Sequence, residues 1–255
     1  MVSVCTSFWP SNIFKGLLHM TDEDKIHMAE TRIHFHEALE SLKELLIEMG
    51  GKAEAVVDLA INGYLSRNST LCTQVLNIEK DINLAERRID EFALQLLASQ
   101  QPMAGDLRLI TACMKITSDL ERVSDQAVNI ARLGLAEIQL MRVELPVDIG
   151  RVAAAAAGMI RRALNAFIEK DADLAFAVLK MDDIVDRMND DAWKSLVGKM
   201  HEDPEAIEQA LDALIVVRNL ERVADHATNI AEDVIFWIRG TDVRHGVGRV
   251  VPIEP

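Results

Sequence analysis

Residues 119–131 read DLERVSDQAVNIA, and one hundred residues later residues 219–231 read NLERVADHATNIA. Across 119–132 and 219–232, nine of fourteen positions are identical. Each copy sets a Glu and an Asp four residues apart, Glu121 with Asp125 and Glu221 with Asp225, among Leu, Val, Ala and Ile. Like charges at that spacing share one side of a helix and repel. With Glu121 at zero on a wheel of about 100° per residue, Asp125 falls near 40° and Asn129 near 80°. Cys113, Ile116, Leu120, Val123 and Ala127 gather around 200–280° by the same step of about 100°. The stretch predicts an amphipathic helix with its acids turned away from a bundle core, and the second copy predicts the same.

The repeat extends upstream. VLNIEKDIN (75–83) aligns with VLKMDDIVD (178–186), setting Glu79 against Asp182 and Asn83 against Asp186. Pro102, Pro146 and Pro204 lie between long segments of helical periodicity, and Pro is tolerated in a first helical turn. Helices are expected over 24–66, 69–99, 103–138, 146–169, 171–200 and 204–239, with a bend in the first at Gly50-Gly51. Within 69–99 the apolar residues Leu71, Val75, Ile78, Ile82, Ala85, Ile89, Phe92 and Leu96 recur every three or four positions and form one face. No segment alternates as a strand does. The fold class is all-α: two tandem three-helix bundles related by internal duplication, over 22–140 and 146–239. Residues 1–21 read as a flexible extension and 240–255 as a loose tail.

Composition agrees with a globular chain: 49% apolar and 27% charged over 255 residues. The formal charge of −14 opposes non-specific attraction to nucleic acid and anionic lipid, and favours cations and basic surfaces. Cys5, Cys72 and Cys113 show no CxxC spacing, which suits a reducing compartment and argues against a thiolate metal site. No stretch approaches the ~20 apolar residues of a membrane span. The opening MVSVCTSFWPSNIFKGLLHM lacks the early positive charge of a secretory signal.

The acids form stripes. Glu79, Asn83, Glu86 and Asp90 share one side of the second helix, and Asp182, Asp186 and Asn189 are their counterparts. If the second and third helices of a unit lie side by side, these stripes meet those of Glu121, Asp125 and Asn129, and of Glu221, Asp225 and Asn229. Hard divalent or trivalent cations take such oxygen ligands and would offset the repulsion. The bland reading is that polar stripes are what any solvated helix shows, with Arg218 and the Arg after each Glu making surface ion pairs. His34 and His36 are not spaced to share a ligand face, and His226 reads as a lone surface histidine.

With both copies in view, the chain resembles the PhoU family of regulators of high-affinity phosphate uptake. The carrying residues are QPMAGDLRLI (101–110), DLERVSDQAVNIAR (119–132), the VLNIEKDIN/VLKMDDIVD pair and NLERVADHATNIAED (219–233). The resemblance implies two three-helix bundles and an E(D)xxxD metal motif on two helices of each. By position the motif falls on Glu79, Asn83, Glu121 and Asp125 in the first bundle. In the second it falls on Asp182, Asp186, Glu221 and Asp225. Glu86, Asn129, Asn189 and Asn229 are possible additional ligands, and Asn83 departs from the acidic pattern. The implied metals are iron, zinc, magnesium or manganese. The implied role is a cytoplasmic, homodimeric, non-catalytic adaptor between the phosphate ABC transporter's ATPase and a sensor histidine kinase. It would repress the starvation response when phosphate is plentiful, reach membranes only through partners and bind no nucleic acid. The alternatives are a carboxylate-bridged metalloenzyme and a structural adaptor without metal. The first is disfavoured because di-iron bundles use Glu-x-x-His, which is absent here.

Overall fold

The computed structural model describes residues 22–99, 102–137 and 143–244, with side chains from residue 32 onward. Among the described residues six α-helices form: α1 (Asp22–Ser66), α2 (Ser69–Ser99), α3 (Ala104–Glu137), α4 (Ile149–Glu169), α5 (Ala172–Glu202) and α6 (Ile207–Arg239). Among the described residues there is no strand. Each helix ends within three residues of its expected bounds. The expected leader over 1–21, Cys5 and the tail beyond residue 244 lie outside the described residues.

The helix starts differ from expectation for a chemical reason. Pro146 lies ahead of α4, and the cap is Asp148, whose carboxylate accepts from the Arg151 N–H. An Asp at that position satisfies a backbone donor that the helix itself leaves open. Asp171 caps α5 in the same way, accepting from the Asp173 and Leu174 N–H groups. Pro204 opens a single 3₁₀ turn, Pro204–Ala206, capped by Asp203, and α6 follows it. At the other end of α6, Gly240 takes a left-handed conformation with φ 66° and closes the helix.

Two compact units are distinguished, 1–40 and 41–255. The first contributes the N-terminal part of α1. Here His34 contacts Glu37 and His36 contacts the Arg32 carbonyl, each within its own helix. In the second unit α1 runs unbroken through Gly50-Gly51. A Cβ on Gly50 would come within 2.8 Å of the Leu164 side chain, so this glycine admits α4 closely.

The core of the second unit follows the apolar periodicity. Leu42, Leu46 and Met49 of α1, Ile82 and Ile89 of α2, and Ile116 and Leu120 of α3 are fully buried. Each such side chain contributes roughly 1.5–3 kcal/mol. Val75, Ile82, Ile89 and Leu96 of α2 are buried, while Leu71, Ile78, Ala85 and Phe92 flank them half-buried. Cys72 and Cys113 are buried thiols, and burial pushes the Cys113 thiol up to about 12.

Helix α2 packs on α3, and α4 and α5 pack on each other and on α6. The third helices of the two copies, α3 and α6, also pack along each other. Their cross-contacts fix the direction. Arg108 donates to the Trp237 carbonyl, Lys115 meets Asp233, Asp119 meets His226 and Asn229, and Asn129 meets Asn219. One number falls as the other rises, so the pair is antiparallel and relates the two copies by an approximate two-fold.

Candidate functional site

The acidic stripes of α2 and α3 do meet. Glu79, Asn83, Glu86, Asp90 and Glu121 are half-buried and Asp125 is exposed. The acids therefore sit along the α2/α3 junction instead of directly opposite the core, as the wheel had predicted. Burial, and then the charges of Asp125, Glu86 and Glu79, push the Glu121 carboxyl above its usual range. Burial and Glu79 do the same to Asp125, and burial with Asp90 and Asp125 to Glu86. Asp90 is raised by burial. Within the stripe the Asn83 amide donates to Glu79 Oε1 at 2.5 Å, leaving Asn83 Oδ1 buried without a hydrogen-bond partner.

The α5/α6 junction repeats the arrangement. Asp182 is half-buried, and Asp186 and Asp225 are exposed beside it. Burial, then Asp186 and Asp225, raise the Asp182 carboxyl, with a hydrogen bond from Thr228 partly offsetting them. Burial and the charge of Asp225 raise Asp186. Asp182 Oδ1 is buried with no hydrogen-bond partner. Glu221 differs from Glu121 in having a cation of its own: Arg218, one helical turn earlier, bonds it at 2.5 Å. Asn189 is half-buried.

Chemically the donor set suits a hard cation. The candidate donors are carboxylate and amide oxygens, the carboxylate charges repel one another, and Asn83 Oδ1 and Asp182 Oδ1 are buried without a hydrogen-bond partner. As the side chains stand, no group of three or more His, Cys, Asp and Glu among the described residues is arranged to hold a metal ion. Coordination at either junction therefore requires side chains to move, and Asp125, Asp186 and Asp225 are the exposed acids there.

Two further asparagines lie elsewhere. Asn129 donates to Asn219 Oδ1 at 3.2 Å and Asn229 to Asp119 Oδ1 at 3.1 Å, both across the α3/α6 seam. His226, expected as a lone surface residue, is also in this seam. Its side chain is 15% exposed and its Nδ1 lies 2.8 Å from Asp119 Oδ1. Next to it Lys115 reaches Asp233 at 2.9 Å, and the Asp233 side chain is only 10% exposed. Burial raises the Asp233 carboxyl, and Lys115 works against that rise. A sequence signal for this seam existed in the differences between copies: Asp119 and His226 carry complementary chemistry where Asn219 and Gln126 do not.

The PhoU domain family matches the chain twice, over residues 46–134 and 149–234. The first match runs from the middle of α1 into α3, and the second from the start of α4 into α6. The chain belongs to the PhoU family. It is 43% identical over 215 residues to the phosphate-specific transport system accessory protein PhoU homolog of Pseudomonas aeruginosa, covering 83% of this chain and 88% of that one. To the phosphate-specific transport system accessory protein PhoU of Escherichia coli K12 it is 32% identical over 211 residues, covering 83% and 88%. The crystal structure of PhoU from Pseudomonas aeruginosa superposes with a TM-score of 0.78 at 40% identity, covering 81% of this chain and all of that chain. That of the phosphate transport system regulatory protein PhoU from Streptococcus pneumoniae gives 0.76 at 26% identity, covering 82% and 99%. The all-α, internally duplicated PhoU fold is thus the fold of this chain. Among the described residues no helix is long and apolar enough to cross a membrane.

Proposed function

We propose that this chain regulates phosphate uptake and phosphate-starvation signalling as a metal-binding adaptor. The observation that carries the proposal is its 43% identity, over 83% of its length, to a phosphate-specific transport system accessory protein. In this reading a homodimer on the cytoplasmic side joins the ATPase of the phosphate ABC transporter to a sensor histidine kinase. It holds the starvation response off when phosphate is plentiful. Recognition uses rigid helical surfaces, and no turnover of substrate is involved.

The metal part of the proposal is supported by the repelling carboxylates and the two unsatisfied oxygens, Asn83 Oδ1 and Asp182 Oδ1. Glu79, Asn83, Glu121 and Asp125 would hold an ion in the first half, and Asp182, Asp186, Glu221 and Asp225 in the second. A bound divalent or trivalent ion, whether iron, zinc, magnesium or manganese, supplies positive charge that cancels the repulsion and ties adjacent helices together. Half-burial of Glu121 and Asp182 orients one carboxylate at each junction, and the exposed Asp partners close over the ion.

A structural adaptor without metal is the second reading. It is favoured by the pairing of Arg218 with Glu221 and by the absence of a gathered three-ligand set among the described residues. Elemental analysis of the purified chain beside an Asp182→Ala/Asp225→Ala variant separates the two. Loss of metal with retained helicity supports the first reading, and equal metal content in both proteins removes it. The adaptor role is tested by isolating the chain from cells grown with and without phosphate. Recovery of a transporter ATPase and a sensor kinase is expected, and failure to recover either in both conditions overturns the role.

A further inference from the structure

Beside the second copy, at the end of the α3/α6 seam away from the Lys115–Asp233 pair, lies an open cleft of about 640 Å³. Ten residues line it. Trp193, Leu211 and Ile215 give it an apolar wall and stand 60%, 48% and 48% exposed. Arg132, Arg218 and Arg222 give it a cationic rim. Arg218 is held by Glu221, and Arg132 is in electrostatic range of Asp125. Arg132 and Arg222 make no hydrogen bond or ion pair among the described residues.

The duplication supplies an internal control. In the register that aligns Glu121 with Glu221, Leu211 corresponds to Thr111, Ile215 to Lys115 and Arg218 to Ser118. In the register that aligns Glu79 with Asp182, Trp193 corresponds to Asp90. The first copy builds the same helices with polar residues at every one of these positions. Exposed Trp, Leu and Ile are therefore not demanded by the fold, and they occur together on one face. Tryptophan and arginine around an apolar floor are also the residue types that carry most of the energy in protein interfaces.

We infer that this cleft docks an acidic amphipathic helix of a partner protein. The charge decides the sign: on a chain of −14, two guanidiniums without a hydrogen-bonded carboxylate of their own at one cleft select carboxylates from the partner. The size decides the kind of occupant. Two folded surfaces in stable association need about 20–30 residues a side, and ten lining residues match one helix laying apolar anchors at i, i+3, i+4 and i+7 into a groove. None of the junction acids lines the cleft, and the two regions touch through Arg218, which bonds Glu221.

The test uses the full chain and a fluorescein-labelled helical peptide of about five turns, with Leu and Ile along one stripe and Glu elsewhere. A second peptide replaces every Glu by Lys. Anisotropy is expected to show the acidic peptide binding and the Lys peptide binding about tenfold or more weakly, with affinity falling as salt rises. Arg132→Glu/Arg222→Glu is expected to reverse the preference. Leu211→Thr/Trp193→Asp, which imports the first copy's residues, is expected to weaken the acidic peptide by about tenfold with unchanged thermal melting. Equal affinity for both peptides, full affinity in both double variants, or an equal loss in Arg122→Glu would overturn the assignment. So would a dimer that Leu211→Thr/Trp193→Asp converts to monomer in sedimentation, which would make the cleft a contact between copies of this chain.

Discussion

At one end of the α3/α6 seam, Lys115 meets Asp233 and Asp119 meets His226 and Asn229. At the other end the same positions of the repeat hold Ile215, Leu133, Asn219, Gln126 and Asn129, and there Asn129 donates to Asn219 across the seam. One backbone arrangement thus carries two different chemistries. The first end is closed by one ion pair, Lys115 with Asp233, and by the contacts of Asp119 with His226 and Asn229, in which Asp233, Asp119 and His226 are largely withdrawn from water. The second is left open, with a cleft beside it. A duplicated fold keeps its helices by repeating apolar positions, and it gains distinct surfaces by letting the polar positions differ.

The largest expected effect concerns a crossing that the two copies pack differently. Gly134 and Val234 occupy equivalent positions, and Val234 is fully buried. A Cβ on Gly134 would meet Cys72 Sγ at 2.9 Å and the Tyr64 Cα at 3.1 Å. The backbone of α1 cannot yield as a side-chain tip can. Gly134→Val should therefore lower stability by about 3 kcal/mol, read as an earlier urea midpoint with unchanged slope. A loss below about 1 kcal/mol would show that this crossing opens without strain.

Next comes the seam itself. Lys115→Met removes the cation bonded to the Asp233 carboxylate and leaves only the through-space charge of Arg244. Breaking a fully buried pair costs about 3–5 kcal/mol; the Lys115 side chain is 42% exposed, so about 2 kcal/mol is expected here after solvent screening. Ile215→Thr, at the matching position of the other end, should stay within about 0.5 kcal/mol. Equal costs at the two ends, by denaturant titration, would remove the distinction between a closed and an open end.

A smaller effect follows from the raised carboxyls of Glu86, Asp90, Glu121, Asp125, Asp182 and Asp186. Each binds its proton more tightly folded than unfolded. In the window from the ordinary carboxylate value of about 4 upward to each raised value, the native state holds more protons. Stability therefore falls as pH rises through that window and is fully relieved of the penalty below it. Asp203, lowered by its hydrogen bond with Lys199, acts oppositely, and only below the ordinary range. Thermal melting of metal-free protein should peak in mild acid, and added manganese should flatten the decline toward neutrality. An identical decline with and without manganese would count against the carboxylates as ligands.

The smallest expected change compares the two junctions. Asn83→Asp gives the first half the charge that Asp186 provides in the second, and should raise its manganese affinity several-fold, measured by calorimetry. No change would place Asn83 outside the ligand set.

Much of the fold was legible along the chain. The spacing of Val75, Ile82, Ile89 and Leu96 announced a buried face, and the repeated Leu-Glu-Arg-Val stretch announced two equivalent helices. Helix starts were less legible, because Asp148 and Asp171 cap by local hydrogen bonds that do not need a proline. Of the candidate site, the convergence of the α2 and α3 stripes, and of α5 and α6, was foreseen. The half-burial of Glu121 and Asp182 was not, since a single helical wheel does not include the neighbouring helix. The seam of Lys115, Asp119, His226 and Asp233 was missed altogether, because its members are about a hundred residues apart.

The sequence alone determined the helices, their apolar faces and their duplication, because these depend on periodicity within a few turns. Tertiary structure decided which polar residues meet. Burial of the apolar faces sets the rotation of α3 against α6 and their antiparallel direction. That rotation turns His226 toward Asp119 and leaves Ile215 beside water.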